Sequence, residues 1–353
     1  MWPAGSPGRV VTRKRNFSPW QHFLDELATV ERDDPVPLGD VDALHAWKSR
    51  FPARFEALLG PLPERVPLDL EVESTEDCGS YRRDKIVFDV ERNLSSPAWL
   101  LVPHDRVGPG PAVLAQHEHG LRQGKHEVCG IDGGDEHLRR HLTEHRSDYG
   151  HQLAQRGYVV LATDLRTFGE RADWNPEHLY ACDLTHMHQS IFGRNLLALD
   201  LWDLARALDV LCDHPLVDPE RVGMVGLSQG ATVTLFLAAW DERVKAAVVS
   251  GYFSSWAASA AVAWNMCGSQ VLHGMLGQLE HIDLGAAIAP RPLLVESGTR
   301  DDLFPVDVAR AEMARLAHVY GQLGASDRLE HDVFDDGHRW NGDLAYPFLD
   351  RWL

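Results

Sequence analysis

The first sixty residues carry two helical patterns. A Ser-Pro pair at 18–19 predicts a capped helix that runs to residue 30, with proline at its first position. From Val41 to Leu59 large apolar residues recur at spacings of three and four, which predicts a second helix. Residues 1–17 are rich in Pro, Gly and Arg and are expected to form a flexible arm. The two helices are expected to serve packing or dimerisation.

The hydrophobic pattern changes near residue 68 from helical spacing to short apolar runs. The first runs, separated by turn residues, predict an antiparallel start to a sheet: 68–74, 85–90 and 98–102. The later runs alternate with helical or irregular segments: 112–115, 158–162, 222–225, 246–250 and 293–296. Short apolar runs that alternate with helices are typical of βαβ units. The sequence therefore predicts an α/β fold with a mostly parallel central sheet flanked by helices.

Two polar stretches rich in histidine interrupt this alternation, at 121–149 and 171–192. Each follows a predicted strand, so each leaves the sheet near the carboxyl ends of its strands. Ligands of open α/β sheets bind at that edge. We expect the two stretches to form walls or a lid over a site, with surface decoration as the alternative.

Charge and cysteine content narrow the class of protein. The chain has 52 acidic and 34 basic residues, a formal net charge of −18, which disfavours nucleic acid and anionic membranes as partners. Five scattered cysteines without a C-x-x-C pair argue against a disulfide framework or a thiolate zinc site. The N-terminal stretch has no apolar core of a secretory signal, and no run of 18 apolar residues occurs. These features predict a cytoplasmic location.

The strongest local motif is Gly-Leu-Ser-Gln-Gly at 226–230. It directly follows the strand pattern RVGMV and directly precedes the helical run ATVTLFLAAW. A serine on such a sharp turn is lifted to the sheet edge, and flanking glycines let neighbouring backbone pass without Cβ clashes. The motif predicts Ser228 as a nucleophile, against the alternative of an ordinary helix N-terminus.

A serine hydroxyl needs a base, and the base needs a carboxylate that orients it. Asp301 follows the strand pattern PLLVE and is the preferred acid, with Asp302 as its competitor. His338 follows a strand-like run and a glycine that permits a tight turn, which makes it the expected base. The chain order of serine, acid and histidine is that of α/β-hydrolases.

From about Tyr81 to the C-terminus the chain resembles the dienelactone-hydrolase-like and acetyl-xylan-esterase-like branch of the α/β-hydrolases. The matching segments are VDPERVGMVGLSQG, IAPRPLLVESGTRDDLFP and the late DDGH. The resemblance implies an α/β-hydrolase catalytic domain. Together with the change of pattern near residue 68, this predicts the domain over 67–353, with lid insertions at about 121–149 and 171–192, after an arm and helical extension over 1–66. The spacing of Gly298, Asp301 and Pro305 matches the acid turn of this family and supports Asp301.

The resemblance also implies an oxyanion hole made of two backbone N–H groups. One is that of Gln229, directly after the nucleophile, and by alignment the other is that of His119. Glu118 stands where the family usually has glycine. A carboxylate beside a developing oxyanion is unfavourable unless it points away or is paired.

Further residues near the predicted sheet edge are candidates for substrate contact, with core packing as the alternative for the aromatic ones: His117, Glu118, His188, Tyr252 and Trp256. His137, His141 and His145 are spaced to share one face of a helix. Because no HExxH-like signature and no nucleotide-binding motif occurs, neither a metal nor another cofactor is expected.

The sequence as a whole predicts a serine hydrolase that cleaves a carboxylic ester through an acyl-enzyme on Ser228. An amide, peptide, lactone or thioester hydrolase with the same residues is the nearest alternative. A metal-dependent hydrolase and a non-catalytic binding protein are alternatives of another class. The expected partner is a small-molecule ester, without nucleic acid or membrane, and assembly into a homo-oligomer is left open.

Overall fold

The computed structural model describes residues 15–120, 123–173, 181–260 and 265–353. The predicted arm lies almost wholly outside these ranges, and both histidine-rich stretches fall partly outside them. The strands are β1 Glu71–Asp77, β2 Tyr81–Glu91, β3 Leu94–Pro103, β4 Gly110–Gln116, β5 Val159–Thr163, β6 Val217–Leu227, β7 Ala246–Ser250, β8 Leu293–Gly298 and β9 Leu329–Phe334. The helices are α1 Pro19–Leu27, α2 Val41–Leu59, α3 Lys125–Val128, α4 Glu136–His145, α5 Tyr149–Gln155, α6 Ala181–Ile191, α7 Leu196–Asp213, α8 Gln229–Trp240, α9 Trp256–Ser259, α10 His281–Ile288, α11 Val306–Gln322 and α12 Ala345–Trp352.

The strands form one sheet in the order β1-β2-β3-β5-β4-β6-β7-β8-β9. The pairs from β1 to β5 are antiparallel, and all pairs from β5 through β4 to β9 are parallel. The predicted mostly parallel sheet with an antiparallel start is therefore confirmed. Gln116 pairs with Gly226, and Leu227 pairs with Ser250, so neighbouring strands end at the same edge. The segments after β4, β6, β7, β8 and β9 all leave the sheet there.

Helices cover both faces of the sheet, as predicted. One buried cluster joins one sheet face to α7, α8, α10 and α11, and a second joins the opposite face to α5 and α12. Apolar residues along β4 to β8 are buried on both faces, which explains their continuous rather than alternating pattern. Among the residues that the structure describes, no helix is long and apolar enough to cross a membrane.

Helix α2 belongs to the first of these clusters rather than to a separate core. Its buried Trp47, Phe51 and Phe55 face inward, and the Phe55 ring lies 6.1 Å from that of Phe236 on α8. The Lys48 ammonium donates to the carbonyls of Ala286 and Ala287 at the end of α10. The helical extension therefore buttresses the helix that follows Ser228.

Two predicted boundaries are wrong. Helix α1 ends at Leu27, three residues earlier than expected. Strand β1 occupies Glu71–Asp77 instead of 68–74, and all seven of its residues are exposed. An exposed edge strand has no inward face to pattern with apolar residues, so hydrophobicity alone does not mark its limits.

Candidate active site

Ser228 lies in the sharp turn between β6 and α8. Its φ of +56° is unfavourable for a residue with a side chain, and its backbone N–H donates to the Ser250 carbonyl at 2.9 Å. A Cβ atom at Gly226 would collide with the backbone of Gly230, and one at Gly230 would collide with the carbonyl of Gln116. Only glycine therefore permits this close packing, as the motif predicts.

Asp301 and His338 are joined at the same sheet edge. The Asp301 Oδ2 atom lies 2.8 Å from Nδ1 of His338. The other carboxylate oxygen of Asp301 accepts from the backbone N–H groups of Leu303 and Phe304, at 2.9 and 3.1 Å. The neighbouring Asp302 is exposed. The structure thus pairs the preferred acid, and not its competitor, with the expected base.

The His338 ring lies over the end of β7, next to the strand that carries Ser228. A Cβ atom at Gly251 would sit 2.9 Å from Cε1 of His338, so glycine makes room for the ring. Nε2 of His338 is buried without a hydrogen-bond partner in the described part of the chain. Burial tends to lower the pKa of His338, but the hydrogen bond and charge of Asp301, with the charge of Glu118, raise it above its usual value.

The loop after β4 packs against the N-terminus of α8. Gly230 has space only for a hydrogen atom between it and the carbonyls of Gln116 and His117. Gln229 is buried, and its side-chain amide donates to the Ser269 carbonyl at 3.1 Å. The expected oxyanion donors, the N–H groups of Gln229 and His119, thus belong to two segments in contact. Their catalytic role stays a prediction.

Glu118 is paired rather than exposed to the site. Its carboxylate oxygens lie 3.1 Å from Nε2 of His141 and 3.4 Å from Nδ1 of His145, both on α4. Burial tends to raise the pKa of Glu118, but hydrogen bonds and charge from these histidines lower it to about 2. The same cluster raises the pKa of His141 to about 10 against the effect of burial. His137, expected on the same helix face, is exposed.

His117 does not fit the expected contact with substrate. Its ring is buried, with Nδ1 donating to the Glu118 carbonyl at 2.7 Å and Nε2 accepting from the Leu165 N–H at 3.1 Å. Both nitrogens are used by backbone, so the side chain braces the loop. His188 is half-buried on α6, and its contact with substrate stays a prediction.

The two aromatic candidates are buried. Trp256 donates its indole N–H to the Leu279 carbonyl at 2.8 Å, which matches the core-packing alternative rather than substrate contact. Tyr252 packs its ring against Phe304, at 5.4 Å, and Phe304 stacks on His338 at 5.8 Å. The Phe304 ring thus lies between Tyr252 and His338. Contact between Tyr252 and the substrate stays a prediction.

Glu296 was not identified from the sequence. It is buried in β8, and its carboxylate accepts from the N–H groups of Asn341 and Gly342 at 3.2 and 2.8 Å. Burial raises the pKa of Glu296 to about 7. These bonds fix the segment that follows His338. The sequence does contain a signal for this residue, because Glu296 is a carboxylate within an otherwise apolar strand.

Tyr149 also ties the site together. Its hydroxyl donates to the Gln116 carbonyl at the end of β4 and accepts from the Leu227 N–H, 3.3 Å away, at the end of β6. Its ring stacks on Trp340, two residues after His338, with centroids 4.5 Å apart. A single tyrosine in a polar stretch offers no sequence signal for these contacts.

Buried ion pairs join the segment after β5 to the first histidine-rich stretch and to α7. Lys125 lies 2.6 Å from both Asp164 and Glu170, and the Lys125 and Asp164 side chains are completely shielded. Arg166 makes a second pair with Asp203, at 2.7 Å. Removing one partner of such a pair leaves an uncompensated buried charge. These contacts have a structural rather than a catalytic character.

A second cluster of polar side chains includes the residue that follows Glu118. Its members are His119, Cys182 and Cys267, whose Nε2 and Sγ atoms all lie within 4.8 Å of one another. Hydrogen bonding from Cys182, and then from His119, lowers the pKa of Cys267 well below its usual value although burial opposes this. These residues, and Glu118 with its two histidines, could each hold a metal ion.

Known esterases are similar to this chain in sequence and in structure. The family model described as Acetyl xylan esterase (AXE1) matches residues 144–263, which include the Ser228 turn. The structure of a Bacteroides fragilis protein assigned as an acetyl xylan esterase matches with a TM-score of 0.82, covering 97% of both chains at 17% identity. The chain has the α/β-hydrolase fold.

Two other known proteins are similar to this chain. A glucuronoyl esterase from Solibacter usitatus matches with a TM-score of 0.67 at 17% identity, covering 92% of this chain and 98% of its own. The Bacillus subtilis (strain 168) protein YtaP, assigned as a hydrolase, is 28% identical over 320 residues, or 84% of this chain and 96% of YtaP. The predicted likeness to acetyl xylan esterases and the enzyme class, a carboxylesterase-like serine hydrolase, are confirmed. The likeness to dienelactone hydrolases stays a prediction.

Proposed function

We propose that this α/β-hydrolase cleaves carboxylic esters through an acyl-enzyme on Ser228. The observation that carries the proposal is the 2.8 Å contact between Asp301 and Nδ1 of His338, which leaves Nε2 without a partner among the described residues. A carboxylate on one ring nitrogen fixes the tautomer in which the other nitrogen accepts a proton. Asp301 therefore orients His338 as a general base for Ser228.

The reaction follows from this arrangement. Nε2 of His338 takes the hydroxyl proton as Oγ of Ser228 attacks the ester carbonyl carbon. The N–H groups of Gln229 and His119 donate to the oxyanion, helped by the positive end of α8. Collapse of the tetrahedral intermediate breaks the bond to the alcohol, which leaves with the proton from His338. Water, deprotonated by the same histidine, then attacks the acyl carbonyl. The bond to Oγ of Ser228 breaks, the carboxylic acid leaves, and His338 returns its proton to Oγ.

The substrate class that the comparisons favour is an ester of a carbohydrate. The family model that spans the nucleophile turn is named for acetyl xylan esterase, and the similar structures are named for acetyl xylan and glucuronoyl esterases. We propose the acetyl ester of a sugar hydroxyl as the first substrate to test. Residues 1–66 would act as a support for the catalytic domain over 67–353.

Labelling with a fluorophosphonate probe tests the nucleophile. Wild type and Ser95→Ala, a control at an exposed serine on β3, should be labelled, whereas Ser228→Ala should not. Hydrolysis of p-nitrophenyl acetate should fall by about 10⁶-fold in Ser228→Ala. Labelling of folded Ser228→Ala to the wild-type extent, with folding checked by circular dichroism, would show that another residue is the nucleophile.

The bond that is cleaved needs a separate comparison. Acetylated xylo-oligosaccharides, an acyl anilide and a small lactone would be assayed in parallel with the same enzyme preparation. Ester hydrolysis with the highest kcat/KM supports the proposal. A higher kcat/KM on the anilide or the lactone would replace the ester with that bond while keeping the same catalytic residues.

A further inference from the structure

The cluster of His119, Cys182 and Cys267 is assembled from three distant parts of the chain. His119 lies in the loop after β4, Cys182 lies in the first turn of α6, and Cys267 precedes the short turn at 268–270. The first two are 63 residues apart in sequence. Folding alone brings these three side chains together, which is why no local spacing motif reveals them.

The geometry of the cluster matches the distances in a tetrahedral zinc site. Nε2 of His119 lies 3.6 Å from Sγ of Cys182, and all three donor atoms lie within 4.8 Å of one another. Zinc bonds of about 2.3 Å to sulfur and about 2.0 Å to nitrogen place two such ligands about 3.6 Å apart at a tetrahedral angle. The observed separation therefore needs little adjustment.

Contacts that do not involve the three donor atoms fix the segments that carry the cysteines. Asp183, next to Cys182, accepts from the Gly268 N–H at 2.7 Å. A Cβ atom at Gly268 would collide with the His186 side chain, so α6 and the 267–270 segment are packed closely. The Cys267 backbone N–H donates to the side-chain oxygen of Gln270 at 3.2 Å. The ligand set is thus held in place before any ion binds.

The site also connects to the nucleophile helix. The Gln270 amide donates to the hydroxyl of Thr232 on α8 at 3.3 Å, and the Gln229 amide donates to the Ser269 carbonyl at 3.1 Å. His119 itself belongs to the loop that packs against Gly230. An ion bound here would therefore join α6, the 267–270 segment and the loop of the proposed oxyanion hole.

We propose that His119, Cys182 and Cys267 bind a Zn²⁺ ion, with water in the fourth coordination position. Two sulfur ligands and one imidazole suit a borderline-soft cation such as zinc and disfavour Mg²⁺ and Ca²⁺, which take oxygen ligands. Each thiol loses its proton to solvent when the metal–sulfur bond forms. The site goes beyond ester hydrolysis by Ser228, which requires no metal, and its role would be to anchor the loop.

The Glu118 cluster is the weaker candidate for a metal site. Its carboxylate already lies 3.1 and 3.4 Å from two imidazoles, and a third carboxylate–imidazole contact joins Glu127 to His141 at 3.6 Å. These ion pairs account for the burial of the acid. The cluster of His119, Cys182 and Cys267 offers two sulfur donors instead of a carboxylate.

Metal binding to the full-length protein tests the proposal. Protein treated with chelator and kept under a phosphine reductant would be titrated with Zn²⁺ against a chromophoric indicator, and separately with Co²⁺. We expect one Zn²⁺ per chain, and with Co²⁺ an intense near-ultraviolet band from sulfur-to-cobalt charge transfer. Cys182→Ser and Cys267→Ser should each weaken Zn²⁺ binding by at least about tenfold, whereas Cys212→Ser should not.

Several results would overturn the site. One is a wild-type protein that binds no Zn²⁺ with micromolar or better affinity, or Co²⁺ without a sulfur band. Another is equal Zn²⁺ affinity in wild type and both cysteine variants. A third is a Cys182–Cys267 disulfide that persists under reductant, detected by mass after alkylation.

The wild-type cobalt spectrum reports thiolate ligation even where a variant fails to fold. In the same samples, Zn²⁺ should protect Cys182 and Cys267, but not the half-buried Cys212, from alkylation. Fluorophosphonate labelling reports Ser228 separately. Loss of labelling with an intact sulfur band would contradict the proposed function alone, and labelling without metal binding would contradict the zinc site alone.

Discussion

Glu118 and His141 form a buried contact of 3.1 Å that connects the loop after β4 to the first histidine-rich stretch. The family pattern has glycine at the position of Glu118. A buried carboxylate at this position needs a positively charged partner, and His141 supplies it. His145 stacks on His141 with ring centroids 4.2 Å apart and contacts the same carboxylate. The departure from the family pattern is thus matched by two histidines on α4.

Replacing His141 by glutamine should destabilise the protein by about 1–3 kcal/mol at pH 6, because a buried carboxylate loses a charged partner. The pKa of His141 is raised to about 10 in the folded state, so its stabilising effect is complete below its unfolded pKa of about 6.5. That effect should decline as pH rises from about 6.5 towards 10. Urea unfolding of wild type and His141→Gln across this range measures it.

The exposed His137 on the same helix provides the control for this experiment. His137→Gln should change the free energy of unfolding by less than about 0.5 kcal/mol at any of these pH values. A wild-type advantage over His141→Gln that grows between pH 7 and pH 10 would contradict the ion pair.

The Asp301 carboxylate should matter far more to turnover than its neighbour. Asp301→Asn should lower kcat by about 10⁴-fold, because an amide favours the wrong tautomer of His338. Asp302→Asn should leave kcat within about twofold, since Asp302 is exposed. Steady-state kinetics on p-nitrophenyl acetate distinguishes the two. Similar losses in both variants would indicate that the acid is shared or misassigned.

The charge of Glu118 should appear in the pH profile of the enzyme. His338 must be neutral to act as a base, so kcat/KM should fall as pH drops through its pKa, which is raised. Glu118→Gln removes one of the charges that raise the pKa of His338. The acidic limb of the kcat/KM profile should therefore move to lower pH. The Asp302→Asn variant serves as a charge-matched control and should keep the wild-type limb. A shift to higher pH in Glu118→Gln would contradict this assignment.

Tyr149→Phe should destabilise the protein by about 1–3 kcal/mol, because the Leu227 N–H and the Gln116 carbonyl both lose their partner. Since these groups flank the nucleophile turn, kcat should fall as well. Tyr158→Phe removes a hydroxyl that bonds Asp350 at 2.8 Å, away from the turn, and should leave kcat unchanged. Thermal unfolding and ester kinetics on both variants test the difference.

Local chemistry explains what the sequence could predict. Ser228 and Asp301 each follow a strand at a point where only glycine fits, at Gly226 and Gly230 for the first and at Gly298 for the second. His338 follows the last strand, and a short window of sequence identifies each of the three. The sheet was predicted because the buried parallel strands are continuous apolar runs. Residues within such windows depend little on the rest of the chain.

The parts of the site that the sequence could not predict depend on contacts between distant segments. The partner of Glu118 lies on α4, and the donors of the Cys182 cluster come from three elements, so neither pairing leaves a spacing signal. His117 and His119 are two positions apart in the sequence. The structure separates them, because His117 turns inward to the Leu165 N–H.

Residues 117 to 119 are consecutive, yet each side chain is attached to a different neighbour. His117 bonds backbone after β5, Glu118 bonds α4, and His119 contacts Cys182 on α6. The backbone between them carries the proposed second oxyanion donor. Displacement of either histidine-rich stretch would therefore change the position of the His119 N–H. The turnover rate would then depend on the positions of both stretches. A substrate that holds both stretches in place would be hydrolysed faster, even if its contacts with Ser228 were the same as those of a slower substrate.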